Sequence, residues 1–373
     1  MKIAFAFLFF IAQKVFSLHL FGTDTSLSEN PIRGPGGRTV SIEFKVQFPP
    51  HVTPYILISY SKFHFSMAKI NHYKATVVGV TNKGFSIIYE TETQNMEFGA
   101  DVEWLAFDDT SDFFGEVQYI EEYDTGFLKE FYKTGDEHRM QLKDIKFQRT
   151  YLRTPGVAIF VVGASNDGIE RLVSANYTDA SPFSFTMQVL AWHHTELTYY
   201  KFAILTYYKD ECLQKTGRQY VWNEEHHKFK PHPWNQIHLF SDNDFRHMHY
   251  DFPIEHENSK NFRPDFIYSG FVGYDIKNYQ QNYAEFNLAL KNVEVTKKEI
   301  KMDVGTWNKT QVAGAQWNYI VCETNGDFVS QRKLTLIQKI VIGVAILAML
   351  ITFVILLLKI PKMLQKQKKV KEL

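Results

Sequence analysis

Apolar and polar residues alternate along most of the chain from Val40 onward. Tyr-Ile-Leu-Ile-Ser-Tyr follows Pro54, and Tyr73-Lys-Ala-Thr-Val-Val-Gly-Val comes next. A turn at Asn82-Lys-Gly84 leads into Phe85-Ser-Ile-Ile-Tyr-Glu-Thr-Glu, and Ala100-Asp-Val-Glu-Trp-Leu-Ala-Phe closes the group. Successive side chains of a strand face opposite ways. A period of two, broken by turn residues at short intervals, therefore predicts an antiparallel sandwich and an all-β fold.

The same order returns twice. Pro155 is followed by Gly-Val-Ala-Ile-Phe-Val-Val, then by strands at Arg171–Tyr177, Phe185–Trp192 and Tyr200–Tyr207. After Pro264 come Asp265–Phe271, Phe286–Val293, Ile300–Trp307 and Ala315–Cys322. From the proline to the end of the penultimate strand is 38 residues in the first group (Glu92), 37 in the second (Trp192) and 43 in the third (Trp307). The spacing reads as three divergent copies of one small β-sandwich domain, at 38–110, 140–212 and 236–324. Periodicity sends Phe185, Met187, Val189 and Ala191 to the core, with Thr186, Gln188, Leu190 and Trp192 opposite. In the third copy Ile300, Met302 and Val304 oppose Lys301, Asp303 and Trp307. Both tryptophans thus fall at a strand end on the more polar face.

The two ends carry a different pattern. Met1-Lys2, an apolar run from Ile3 to Ala12, and small residues at Val15 and Ser17 read as a secretory signal, 1–17, cleaved after Ser17. Ile340 to Leu358 contains 19 residues without a charge. That length suits one transmembrane helix, 340–358, at about 20 residues per span. The tail 359–373 carries six Lys and one Glu, which places it in the cytosol. The expected product is a single-pass type I membrane protein of the cell surface or secretory pathway. The tail reads first as plain positive-inside anchoring; the sharper alternative is that Lys369 and Lys371 resemble a dilysine retrieval signal of the endoplasmic reticulum.

Composition narrows the partners. Formal net charge is zero and no basic block lies outside the tail, so nucleic acid is not an expected partner. Thirty-two Phe and 16% aromatic residues suit strands. Cys212 and Cys322 can pair in an oxidising compartment; two free thiols or an intermolecular bridge are the alternatives. Asn176 (Asn-Tyr-Thr) and Asn308 (Asn-Lys-Thr) head glycosylation sequons.

The second and third copies share Trp192-His-His-Thr-Glu-Leu and Trp307-Asn-Lys-Thr-Gln-Val. Together with the Pro-led strand and the Arg171-led strand, this pattern resembles the H-type lectin domain of snail agglutinins and discoidin-like proteins. The resemblance covers most of Val40 to Glu323. It implies a small antiparallel sandwich and a sugar site for galactose or N-acetylgalactosamine. It further implies association in threes, met here by three copies within one chain as an intramolecular pseudo-trimer, or by self-association. Carried over, the site residues are Arg171, Trp192, His193 and Thr195, with Tyr199 adjacent to the family's tyrosine position, Thr198. In the first copy the Trp-His pair becomes Glu92-Thr93, and the Arg position is near His72. In the third copy Asn308 replaces the His, and a glycan there would crowd the site. The partners implied are glycans or glycoproteins.

Other constellations are thinner. His226, His227 and His232, the His247-x-His249 pair, and Asp108, Asp109 and Asp112 lack a completed metal-ligand set, so no metal is expected. No Gly-x-Ser-x-Gly, phosphate loop or Cys–His nucleophile signature occurs. Neither enzymatic activity nor a cofactor is expected. The reading opposed to a lectin is a structural or protein-binding β-sandwich without a sugar site.

Overall fold

The structure is a computed structural model. It describes residues 18–330 except 67–69, 93–96, 124–137, 168–169, 193–195, 221, 224–227, 230–245, 254–261, 263, 278–284, 297–298, 307–311 and 325–327. The signal, the 340–358 span and the basic tail expected from the sequence lie outside the described residues. No helix among the described residues is long and apolar enough to cross a membrane.

Strand β1 (His19–Asp24), the single-turn helix α1 (Ser26–Glu29) and the short β2 (Ile32–Arg33) open the chain. A first segment follows with β3 (Gly36–Glu43), β4 (Tyr55–Ser66), β5 (Ile70–Thr81), β6 (Gly84–Thr91), β7 (Glu97–Phe107) and β8 (Phe114–Tyr123). The second has β9 (His138–Lys146), β10 (Gly156–Asp167), β11 (Glu170–Thr178), β12 (Ser184–Trp192), β13 (Glu196–Tyr207) and β14 (Cys212–Tyr220). After the two-residue strands β15 (Trp222–Asn223) and β16 (Lys228–Phe229), the third has β17 (Arg246–Pro253), β18 (Phe266–Lys277), β19 (Glu285–Val295), β20 (Glu299–Thr306), β21 (Val312–Cys322) and β22 (Phe328–Ser330). The strands lie where the alternation placed them, and the fold is all-β.

No large sheet is confined to one segment. The first runs β17-β20-β19-β4-β7-β1-β22, with β2 also on β7; the second runs β3-β6-β5-β10-β13-β8; the third runs β9-β12-β11-β18-β21-β14. In each sheet the first, fourth and third strands of one segment continue into the second and fifth strands of another. The sheets are therefore shared between segments, and the described residues 18–330 all fall in one compact unit.

Three short antiparallel ladders make the joins. Ile70–Lys74 of β5 pairs with Asp167–Gly163 of β10. Glu170–Val173 of β11 pairs with Lys277–Tyr274 of β18. Glu285–Ala289 of β19 pairs with Ser66–Lys62 of β4, and closes the ring. A bulge recurs beside each join, at Ser61, Val162 and Val272, five residues before the end of its strand. A bulge bends its strand and increases the twist. Past the bulge each second strand keeps its own fifth strand on one edge and gains the neighbouring segment's third strand on the other.

Aromatic rings fill the space where the sheets meet. Phe63 of β4 lies 5.6 Å from Tyr73 of β5, 5.6 Å from Phe271 and 5.7 Å from Tyr274 of β18. The Tyr73 and Tyr274 hydroxyls hydrogen-bond at 2.9 Å, and Asn166 Nδ2 donates to the Tyr274 oxygen at 3.2 Å. Each such ring pair adds about 0.5–1.5 kcal/mol beyond burial of its area. Phe185, Met187, Val189, Ala191, Ile300, Met302 and Val304 are buried, as their spacing predicts. Asp303, expected on the polar face, is also buried, where its carboxylate accepts a hydrogen bond from Asn292 Nδ2 at 2.6 Å.

Cys212 and Cys322 face each other across the β14–β21 ladder and form an intrachain disulfide. The bridge spans 110 residues. Closing a loop of that length restricts the unfolded chain by about 4–5 kcal/mol in the chain-entropy model.

Gly273 sits in the β11–β18 join, where an added Cβ would come within 2.3 Å of the Val173 carbonyl oxygen. Backbone cannot yield as a flexible side chain does. Gly273→Ala is expected to lower stability by about 1–3 kcal/mol. At the equivalent Gly163 the nearest atom would be 3.1 Å away, and Ala there should be milder. Equal melting temperatures for wild type and G273A would contradict this join.

A candidate binding facet on the second sheet

A row that includes four charged residues crosses five strands of the second sheet. Glu121 of β8 pairs in register with Lys201 of β13, Lys201 with Gly163 of β10, Gly163 with Lys74 of β5, and Lys74 with Glu90 of β6. Cross-strand neighbours of opposite sign attract, and the glycine separates the two like charges. Two positions along, on the same face, runs the row Tyr123–Tyr199–Ser165–His72, with Glu92 just past the end of β6.

Glu121 is the hub. Its carboxylate accepts from the Tyr123 hydroxyl at 2.5 Å and the Tyr199 hydroxyl at 3.2 Å. It lies 3.4 Å from Lys201 Nζ and 3.7 Å from Lys74 Nζ. Lys201 Nζ also donates to Thr76 Oγ1 at 2.8 Å, and Lys74 Nζ pairs with Glu90 at 3.3 Å. The rings form a stair, with His72 stacked on Tyr199 at 5.1 Å and Tyr199 next to Tyr123 at 4.7 Å. Only the outermost step is open, since Tyr123 is 57% exposed while Tyr199 is buried.

Burial and charge set the ionisation. Burial pushes the His72 imidazole below its ordinary range, and Glu92, 3.8 Å away, offsets only part of this. Burial likewise lowers the Lys201 ammonium, against the pull of Glu121. For Glu121 burial acts upward, but the Tyr123 hydrogen bond and the two lysines outweigh it and hold the carboxyl below its usual range. The hub stays charged and its partners stay fixed. What remains at the rim is an aromatic plane at Tyr123, with the Lys74 ammonium 3.3 Å from its hydroxyl and the Glu90 carboxylate 3.3 Å from that ammonium.

The sequence-predicted site residues distribute as follows. Tyr199 lies in this facet of the second sheet. Arg171 and Trp192 lie in the third sheet, at the same end of neighbouring strands, where Arg171 pairs with Ile276 and Trp192 with His138. His193, Thr195 and Asn308 lie outside the described residues. Asn176 pairs with Gln188 in β11 and lines a polar cleft of about 310 Å³ together with Gln214, Thr216, Gln316 and Asn318. Lys74, Glu121, Tyr123 and Lys201 escaped the sequence reading. Their signal is a charge at alternate positions of otherwise apolar strands, which acquires meaning only once the strands are paired. No group of three or more His, Cys, Asp or Glu among the described residues is arranged to hold a metal.

The corresponding rows elsewhere differ in chemistry. In the third sheet the outer row is Tyr220–Gly314–Asp275–Leu172, with Arg218, Gln316 and Gly273 inside it. In the first it is Gly99–His64–Asn287, where the His64 ring nitrogen Nδ1 hydrogen-bonds Asn287 Oδ1.

Residues 39–107 match the family model of the H-type lectin domain. No curated protein and no solved structure matches the chain. The matched stretch contributes His72, Lys74, Glu90 and Glu92 to the facet, while Glu121, Tyr123, Tyr199 and Lys201 lie beyond it.

Because the folded chain holds fewer protons on His72 than the unfolded chain near the ordinary value of 6.5, stability rises with pH through that window. It is complete above 6.5 and declines as pH falls toward the folded value. His72→Gln is expected to flatten the melting-temperature profile between about pH 7 and 5. An unchanged slope would mean that the ring titrates as a free imidazole.

Proposed function

We propose that this chain is a carbohydrate-binding protein built from three H-type-lectin-like copies that close on one another as an intramolecular pseudo-trimer. It is a type I membrane protein of the cell surface or secretory pathway, a receptor, adhesion or cargo lectin. The observation that carries this reading is the facet itself: it begins in the segment that matches the lectin family and is completed by β13 of the next segment. A sugar presents an apolar C–H face and a rim of hydroxyls. The Tyr123 plane suits the first, and Glu90, Glu92 and Lys74 suit the second, each hydroxyl exchanging water for a charge-assisted partner. The galactose or N-acetylgalactosamine site in this reading is that of the second copy, with Arg171 and Trp192 of the third sheet and, by the family resemblance, His193 and Thr195. Lys369 and Lys371 retrieve the protein to the endoplasmic reticulum in this reading.

A protein-binding role is the second reading, and a specific feature favours it. Met140 and Leu142 are exposed on β9, the terminal strand of the third sheet. A terminal strand with no further strand beside it among the described residues, and with exposed apolar side chains, is suited to another chain.

Binding of the full chain to immobilised galactose and N-acetylgalactosamine, competed by free sugar, separates the two. A single shallow site is expected near millimolar affinity, about 4 kcal/mol. Trp192→Ala should abolish galactose-type binding. Tyr123→Ala should weaken binding of any sugar held by the second sheet about tenfold, or about 1.4 kcal/mol. Folded, clustered protein that retains no sugar on a broad glycan surface would turn the assignment to the protein-binding reading.

A further inference from the structure

We infer that the α-amino group created by cleavage between Ser17 and Leu18 is a structural ligand, which docks as an ammonium on the buried carboxylate of Asp108. The inference rests on the secretory reading of the N-terminus given above, and goes beyond it in assigning the new terminus a receptor within the fold.

The ladder sets up the encounter. β1 pairs antiparallel with β7 from His19↔Phe107 to Asp24↔Val102. One further step brings residue 18 opposite residue 108. Leu18 N stands 3.4 Å from Asp108 Oδ2. Asp108 is 3% exposed, and its other oxygen is held by the Thr110 amide at 3.0 Å and the Thr110 hydroxyl at 2.6 Å. The carboxylate is therefore aimed before the terminus arrives.

The next residues cannot slide. His19 is fully buried between Phe113 and Phe114, at 5.3 and 6.1 Å, and its Nε2 hydrogen-bonds Ser111 Oγ at 2.7 Å. Ser111 Oγ in turn accepts from the amides of Phe113 and Phe114. Leu20 is buried, and β1 lies inside the first sheet between β7 and β22. In that sheet β1 takes the place beside β7 that β8 takes beside β13 and β14 takes beside β21.

Cleavage changes the chemistry of this nitrogen. Hydrolysis by a signal peptidase consumes one water and breaks the Ser17 C–N Leu18 amide bond. It leaves a carboxylate on Ser17 and an amine on Leu18, which takes a proton near neutral pH, where α-amines have pKa values of about 7.7–8.0. A neutral donor with one hydrogen becomes a cation with three, facing a buried anion. Ionised pairs of this kind make the shorter and stronger hydrogen bonds. Processing at another bond would place extra residues, or none, at the position that Asp108 addresses.

Two experiments test separate parts. N-terminal sequencing of the full chain made through the secretory pathway should give Leu18; a different terminus overturns the cleavage step and with it this proposal. Four chains then test the pairing by melting temperature: wild type, Asp108→Asn, a chain with Gly-Ser inserted between Ser17 and Leu18, and the combination. Each single change should lower the melting temperature by several degrees, and the combination should fall no further than the worse of the two. Additive losses, or an insertion without effect, would overturn the pairing. If a variant does not fold, amine-selective acylation of the wild-type chain decides: the Leu18 amine should label at least tenfold more slowly than exposed lysine side chains do relative to their unfolded rates. Labelling at the unfolded rate rejects the ion pair.

Discussion

The structure depends on three ladders of four or five residues in which the end of one segment's second strand pairs with the start of another segment's third strand. Backbone N–H and C=O groups must be paired when buried. A single segment cannot do this for itself, because the join residues of β5, β11 and β19 find their partners on β10, β18 and β4. Separated, each segment would present open sheet edges of the kind that invite aggregation. Joined in a ring, they leave no such edge at the centre. That space is filled instead by Phe63, Tyr73, Phe271 and Tyr274, contributed by all three sheets.

The facet on the second sheet is a consequence of the same sharing. Glu121 and Lys201 are far apart in sequence and belong to different segments, yet the register sets them side by side. Lys74 arrives from the other side of Gly163. An isolated surface ion pair contributes little, since solvent screens it and two long side chains must be ordered. Here one carboxylate is held by two ammonium groups and two tyrosine hydroxyls, with one ammonium mostly buried, so the arrangement is ordered as a network. The outer ring, Tyr123, is left to face solvent. The matching rows in the other two sheets carry other residues on the same backbone frame.

The ends of the folded unit are tied by separate devices. In the other two large sheets the place beside the fifth strand goes to the sixth strand of the segment that supplies the first, third and fourth; in the first sheet β1 takes it, and the third segment's sixth strand, β22, lies one place further out. β22 then pairs with β1 in parallel, so the first and last strands of the unit lie together. The Cys212–Cys322 bridge joins β14 to β21 across the third sheet, at the rung where the register already opposes them. It ties the second segment to the third and supports a join that backbone hydrogen bonds make on the far side of β18.

Strand identity and facing were legible in the sequence because each depends on local chemistry. The alternation at Phe185–Ala191 and Ile300–Val304 reports directly which side chains avoid water. Asp303 shows the limit of the pattern, since a buried carboxylate needs a partner, Asn292, that no period of two can announce. Which strand pairs with which was beyond the sequence. Backbone ladders carry no side-chain signature, and the bulges at Ser61, Val162 and Val272 are not marked by one residue type. Tyr199 therefore read as a neighbour of Trp192, seven positions away, whereas the structure seats it against His72, more than a hundred positions distant. The sequence by itself determined the strands and their faces, because burial acts on each residue where it stands. Only the tertiary structure decided how the segments share sheets and which charges meet, because those depend on pairing between residues far apart along the chain.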